Sequence, residues 1–236
     1  MDTKQLLRWT EFAFTPTIST VDYLIEKFRR RIARVPTAFA RSLMDSIRWD
    51  DRLIGIKGAR GVGKTTLMLQ NIVRNHSDNL DAVLYVSLDD LWFADHSLPD
   101  LADQFVKMGG CRLYLDEVHK YPGWSQTIKN LYDDYPELHI VFTGSSLLEI
   151  HNARADLSRR AVVYSMQGLS FREYLNLVSE SNFDRVSLSE ILSDHETLAR
   201  DVLNKVRPLS HFQTYLRTGY FPFFVEGTET YLQRLE

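Results

Sequence analysis

Apolar residues at Val21, Leu24, Ile25, Phe28 and Ile32 keep the three-and-four spacing that lines one face of a helix over residues 21–35. The opposite side of that helix carries Lys27, Arg29, Arg30, Arg31 and Arg34. Pro36 ends or bends it, and Thr37 predicts the cap of a second helix through Phe39, Leu43, Met44 and Ile47. The period then changes. Short apolar runs at 52–57, 82–86, 111–115, 138–142 and 162–166 read as buried strands. Between them lie helical patterns: Leu67, Met68, Ile72 and Val73, then residues 101–106 after a loop holding Pro99, then 124–132. Strands alternating with helices at this spacing indicate βαβ units, right-handed crossovers and a parallel sheet. The remainder is mainly helical, at 170–177, 188–192 and 196–206, with Pro208 following. Phe221-Pro222-Phe223-Phe224-Val225 is a dense aromatic run, expected to be buried and to anchor the helices on the core; exposed, it would be an interface. Three zones emerge: an N-terminal helical segment (1–48), an α/β core of five parallel strands (49–168) and a C-terminal helical lid (169–236).

The turn between the first strand and the next helix carries the first chemistry. Gly58-Ala59-Arg60-Gly61-Val62-Gly63-Lys64-Thr65 is a complete G-x-x-x-x-G-K-[ST] phosphate-binding loop. Glycines let the backbone wrap a triphosphate with its N–H groups inward. Lys64 reaches the β- and γ-phosphates, the Thr65 hydroxyl ligates Mg²⁺, and the helix opening there adds its positive end. Thr66 completes the expected nucleotide-binding set.

The strand at 111–115 ends in Asp116-Glu117, acids at the carboxyl end of a buried parallel strand, where such sheets place ligand chemistry. Asp116 is expected to hold Mg²⁺ opposite Thr65, as a Walker-B acid. Glu117 is expected on the other side of the strand, orienting or deprotonating the attacking water. The next strand runs into Thr143-Gly144-Ser145-Ser146. Thr143 and Ser145 are candidates to contact the γ-phosphate or the water, while Ser145 and Ser146 equally suit helix caps. Arg154, Arg159 and Arg160 follow. Arg159 or Arg160 is the candidate arginine finger, acting in this chain or on a neighbour's site, against the alternative of a solvated or acid-paired surface arginine.

These motifs, in this order, resemble a prokaryotic AAA-like P-loop ATPase family, itself related to archaeal ATPase and STAND-type P-loop proteins. Arg60 stands in the loop as in that family's G-x-R-x-x-G-K-T form. The run from Leu115-Asp116-Glu117 to Trp124, the Phe142-Thr143-Gly144-Ser145-Ser146 segment, Gly168-Leu169-Ser170-Phe171-Arg172-Glu173-Tyr174 and the late Tyr215-to-Pro222 stretch are similar to it as well. The resemblance implies a parallel five-stranded ASCE-type P-loop NTPase core with flanking helices and a helical lid. It also implies ATP as the nucleotide, since no Asn-Lys-x-Asp guanine-reading motif occurs. Members commonly carry a further C-terminal domain, and the chain is expected to be truncated before one. The Asp-Glu pair favours water over a small-molecule acceptor, and turnover is expected to be slow unless a partner or second subunit completes the site. A non-catalytic nucleotide switch and a DNA-associated regulator are the rival readings.

Composition adds bounds. With 236 residues, 44% hydrophobic, the chain is long enough for one α/β domain and a small helical extension. A net charge of -3 does not suggest nucleic-acid binding in bulk. Locally, the five basic residues between positions 27 and 34 have three readings: a solvated helix face, phosphate contacts for DNA or RNA through Arg29, Arg30, Arg31 and Arg34, or contact with an acidic neighbour or the nucleotide itself. The single cysteine, Cys111, is expected as a small buried hydrophobe in its strand, and one cysteine fits a reducing cytoplasm. No apolar run reaches membrane-spanning length. The seven histidines show no metal-ligand spacing.

Overall fold

The structure, a computed structural model, describes residues 20–144, 157–179 and 181–227, with residues 229, 231 and 233. Its centre is a five-stranded sheet of β1 (Leu53–Lys57), β2 (Val83–Ser87), β3 (Arg112–Asp116), β4 (His139–Gly144) and β5 (Val162–Ser165), in the order β2-β3-β4-β1-β5. Every pairing is parallel. Strands β1 to β4 are buried along nearly their whole length. That is why they read as continuous apolar runs rather than as alternation.

The helices are α1 (Thr20–Ile32), α2 (Lys64–His76), α3 (Leu98–Lys107), α4 (Trp124–Asp134), α5 (Phe171–Val178), α6 (Leu188–Lys205) and α7 (Pro208–Thr218). Helix α1 buries Val21, Leu24 and Phe28 and packs on β2. Helix α2 buries Leu67, Met68 and Ile72 against β2 and β4. The chain leaves β1 for the far edge strand β2, works back through β3 and β4, and passes β1 to reach β5. This register sets Ile56 beside Thr143 and Ser87 beside Asp116, so the loop after β1 and the ends of β3 and β4 share one rim. A second apolar cluster, around Leu169, Tyr174, Leu175, Val206, Phe224 and Tyr231, belongs to the C-terminal helices.

Several local expectations change. No helix starts at Thr37; residues 37–41 are irregular and a 3-10 turn follows at Ser42–Asp45. The Gln70 side-chain amide donates to the Pro36 and Phe39 carbonyls, at 2.7 Å each, and Arg41 is extended. An extended residue at position 41 interrupts any helix running from Thr37 to Ile47. Pro99 lies in the first turn of α3, not in a loop, where its missing N–H costs nothing; Ser97 caps that turn at Asp100. The separate helices expected at 188–192 and 196–206 are one helix, α6, kinked at Asp194. Cys111 is half-buried and just precedes β3. In the aromatic run, now a 3-10 turn at Pro222–Glu226, Phe224 is buried, Phe221 and Phe223 are half-buried and Val225 is exposed.

Candidate functional site

The phosphate loop is shaped by what its glycines admit. A Cβ at Gly58 would stand 2.4 Å from the Met166 carbonyl oxygen, so no larger residue fits where the loop leaves β1. Gly61 has φ +83° and lies against the Phe223 ring. Helix α2 starts at Lys64 behind Gly63, which offers no capping side chain. Its first-turn N–H groups therefore lack intrahelical acceptors, which is the donor set an anion needs. Lys64 is buried and donates to the Gly58 and Ala59 carbonyls at 2.8 and 3.0 Å. Burial holds its ammonium pKa below the ordinary lysine value, against the opposing pull of Glu117 and Asp116.

The two acids sit as the register requires. Asp116 is buried at the end of β3, and its Oδ2 accepts from Thr65 Oγ1 at 2.6 Å and from the Tyr85 hydroxyl at 2.8 Å. Its Oδ1 accepts from the fully buried Thr143 hydroxyl and from the Glu117 N–H at 3.1 Å. Three hydroxyls and an amide thus surround one carboxylate. Glu117 departs from the expected strand geometry: it is the one left-handed non-glycine residue among the described residues, at φ 54° and ψ 43°. The strand has ended at Asp116, and a 3-10 turn at Val118–Lys120 begins. Strain of this kind persists where surroundings over-determine it, often at functional sites; here the Glu117 N–H is held by both Asp116 and Thr143 Oγ1, the latter at 3.2 Å. His119, given no role in the sequence reading, lies with Nε2 3.4 Å from the Glu117 carboxylate.

The arginines go elsewhere. Arg159 is exposed and Arg160 makes a bidentate pair with Asp133 at the end of α4, at 2.9 Å for both contacts. Both precede β5, whose Val162 pairs with Ile54 near the start of β1. They lie at the opposite end of the sheet from the phosphate loop, so the fold does not bring them to this chain's own site. Ser145, Ser146 and Arg154 lie outside the described residues.

Sequence reasoning missed two parts of the site. A cavity of about 530 Å³ adjoins the phosphate loop, with Gly61, Lys64, Thr65 and Glu117 on one side. Pro36, Ala38, Phe39, Leu177, Pro222 and Phe223 form apolar walls on the other. Those walls come from segments some 180 residues apart in sequence and meet only in the fold. The second omission is Arg41. Its guanidinium is buried, donating to the Val62 carbonyl at 2.6 Å, to Gln167 and Gly168 carbonyls at 2.8 and 2.9 Å, and to Glu173 at 3.1 Å. One side chain thereby ties the phosphate loop to the N-terminus of α5. The Ser170/Glu173 capping box was readable as Ser-x-x-Glu, but its partner 132 positions earlier was not.

Burial pushes the Glu173 carboxyl upward, yet the Ser170 and Ser42 N–H groups and the Arg41 charge outweigh it and hold the pKa at about 2, against an ordinary 4.5. A carboxyl depressed on folding stabilises the fold above its unfolded pKa and loses that contribution as pH falls toward its folded one. Thermal unfolding followed by circular dichroism is therefore expected to show Tm falling between pH 4.5 and 2. Glu173→Gln should flatten that slope; an unchanged slope would contradict the assignment.

The AAA domain sequence profile matches residues 50–175, more than half of the chain, from the strand before the phosphate loop into α5. The chain belongs to the AAA domain family. An uncharacterised protein of Methanocaldococcus jannaschii is 31% identical in an alignment 229 residues long that covers 90% of this chain and 47% of the relative. This AAA protein thus spans about half the length of that relative. Among solved structures, AMPPCP-bound DnaA from Aquifex aeolicus gives a TM-score of 0.43 at 14% identity, covering 94% of this chain and 70% of DnaA. C. elegans PCH-2 gives 0.41 at 17% identity, covering 75% of this chain and 52% of its own. The AAA profile spans the phosphate loop, the Asp116 strand and the five-stranded sheet. No helix among the described residues is long and apolar enough to cross a membrane.

Proposed function

We propose that this AAA domain binds ATP with Mg²⁺, hydrolyses it, and couples the nucleotide's state to its C-terminal helices. One observation carries the reading: Thr65 and Asp116, 51 positions apart, meet at 2.6 Å beside Glu117 and the phosphate loop. A hydroxyl and a carboxylate are hard oxygen donors, the set that suits Mg²⁺ held jointly by protein and phosphates. Bound there, the ion would neutralise charge developing on the transferred phosphoryl group. Gly58 to Thr66 would hold the polyphosphate, Lys64 would reach its terminal groups, and the apolar walls would cover the base. Glu117 would take the proton of the attacking water while Thr143 holds the backbone of that turn. Arg159 or Arg160 would act as a finger on a neighbouring copy's site, being remote from its own. The lone cysteine supports a reducing, cytoplasmic setting. A nucleic acid at Arg29, Arg30, Arg31 and Arg34 has less support, because Arg29 is already paired with Asp81.

The direct test is equilibrium titration with ATP in the presence of Mg²⁺, comparing the native chain with Lys64→Ala. The variant is expected to lose binding by about 100-fold or more, since a buried charge-assisted contact to phosphate disappears. Equal affinity in the two proteins would overturn the reading. Binding by the native chain without turnover would favour a nucleotide switch.

A further inference from the structure

Part of the basic stripe of α1 borders the residues proposed to bind the nucleotide. A second cavity, of about 610 Å³, lies between α1 and the first turns of α2. Arg30, Arg31 and Arg34 line one wall, and Thr65 and Thr66 the other. Thr65, Thr66 and Pro36 are shared with the cavity beside the phosphate loop, so the two spaces are neighbours around the same residues. The cations of α1 and of the turn that follows it divide in two. Lys27 lines the same cavity but is paired with Asp90, just after β2, and Arg29 is paired with Asp81, just before β2. Arg30, Arg31 and Arg34 have no carboxylate partner among the described residues.

Arg31 is the most closely wired of the three. Its guanidinium lies 5.1 Å above the centre of the Tyr85 ring. The hydroxyl of that ring donates to the same Asp116 oxygen that accepts from Thr65. Two contacts therefore separate Arg31 from the pair proposed to hold Mg²⁺. A guanidinium stacked on an aromatic face keeps its edge N–H donors free for a planar or tetrahedral oxyanion. With Arg30 and Arg34 beside it, Arg31 lines a space opposite residues proposed to receive the phosphates, and the nearest expected anion is the nucleotide itself.

Resting on the ATP-binding reading above, we infer that Arg31, with Arg30 and Arg34, contacts the β- and γ-phosphates of the nucleotide bound by the same chain. These residues supply the cationic wall that Arg159 and Arg160 are too remote to provide in cis. They thereby set the preference for triphosphate over monophosphate.

The test is isothermal titration of ATP, ADP and AMP, each with Mg²⁺, into the native chain, Arg31→Lys, and the triple variant Arg30→Ala/Arg31→Ala/Arg34→Ala. Losing charge-assisted contacts to phosphate should weaken ATP binding by roughly 10- to 100-fold in the triple variant. ADP should weaken less and AMP hardly at all, while Arg31→Lys, which keeps the charge but loses the stacked fork, should lose ATP affinity by less than the triple variant. A purely structural role would weaken all three nucleotides alike, and that result overturns the inference. So does unchanged ATP affinity in the triple variant, including the case where the native chain binds a labelled single-stranded oligonucleotide that the variant does not. Failure of the native chain to bind ATP at all would refute the parent reading and this one together; every other negative result strikes this one alone.

Discussion

Glu117→Gln is expected to bind ATP with near-native affinity and to hydrolyse it roughly 10²- to 10⁴-fold more slowly, the usual contribution of a positioned general base. The amide is nearly isosteric with the carboxylate, so the left-handed turn at φ 54° and its two N–H contacts to Asp116 and Thr143 should survive. What disappears is the group able to accept a proton. Alanine at the same position would be a poorer probe, because it removes the side chain's bulk and its contact with His119. Rapid-quench single-turnover measurement, with binding followed separately, distinguishes the two effects. Turnover within threefold of native would rule out Glu117 as the base and direct attention to His119, the neighbour 3.4 Å away.

The second large effect is expected at Arg41, outside any motif. Arg41→Ala leaves Glu173 buried without its cation and removes the donor to three carbonyls, at Val62, Gln167 and Gly168. Breaking one partner of a buried pair destabilises by roughly 3–5 kcal/mol, more than a surface pair of the same geometry would. ATP affinity should fall as well, since Val62 lies inside the phosphate loop. The double variant Arg41→Met/Glu173→Gln should be less unstable than the sum of the single changes, because neither charge is then left stranded. Urea unfolding of the native chain, Arg41→Met, Glu173→Gln and the double variant measures the coupling, with Arg41→Ala unfolded alongside. A loss under 1 kcal/mol for Arg41→Ala, or strict additivity, would contradict the role given to this contact.

The sheet was legible because its strands are buried on both faces and so appear as unbroken apolar runs between glycine- and acid-bearing turns. Thr65, Asp116 and Thr143 were legible for a related reason: each occupies the carboxyl end of a strand or the helix after it, and a parallel sheet must collect those ends on one rim. The pieces that escaped depend on contacts between segments distant in sequence. Nothing near Arg41 announces Glu173, and nothing near Phe223 announces Gly61. The helix expected at Thr37 failed because Arg41 is extended, its side chain held by Val62, Gln167, Gly168 and Glu173 on distant elements. Glu117 was read as a strand residue because alternation continues on paper after Asp116, whereas the backbone there has already turned left-handed. Arg159 and Arg160 show the converse limit. A cation's presence in the right stretch of sequence says little until the register reveals which end of the sheet it occupies.

Single-turnover hydrolysis of ATP by the native chain, with Mg²⁺ and with Mg²⁺ removed by chelation, tests the central claim most directly. The geometry of Thr65, Asp116 and Glu117 predicts ATP cleavage to ADP and phosphate that depends on the metal, even if slow. ATP bound firmly but left intact with Mg²⁺ present, or cleaved equally well without it, would contradict the account.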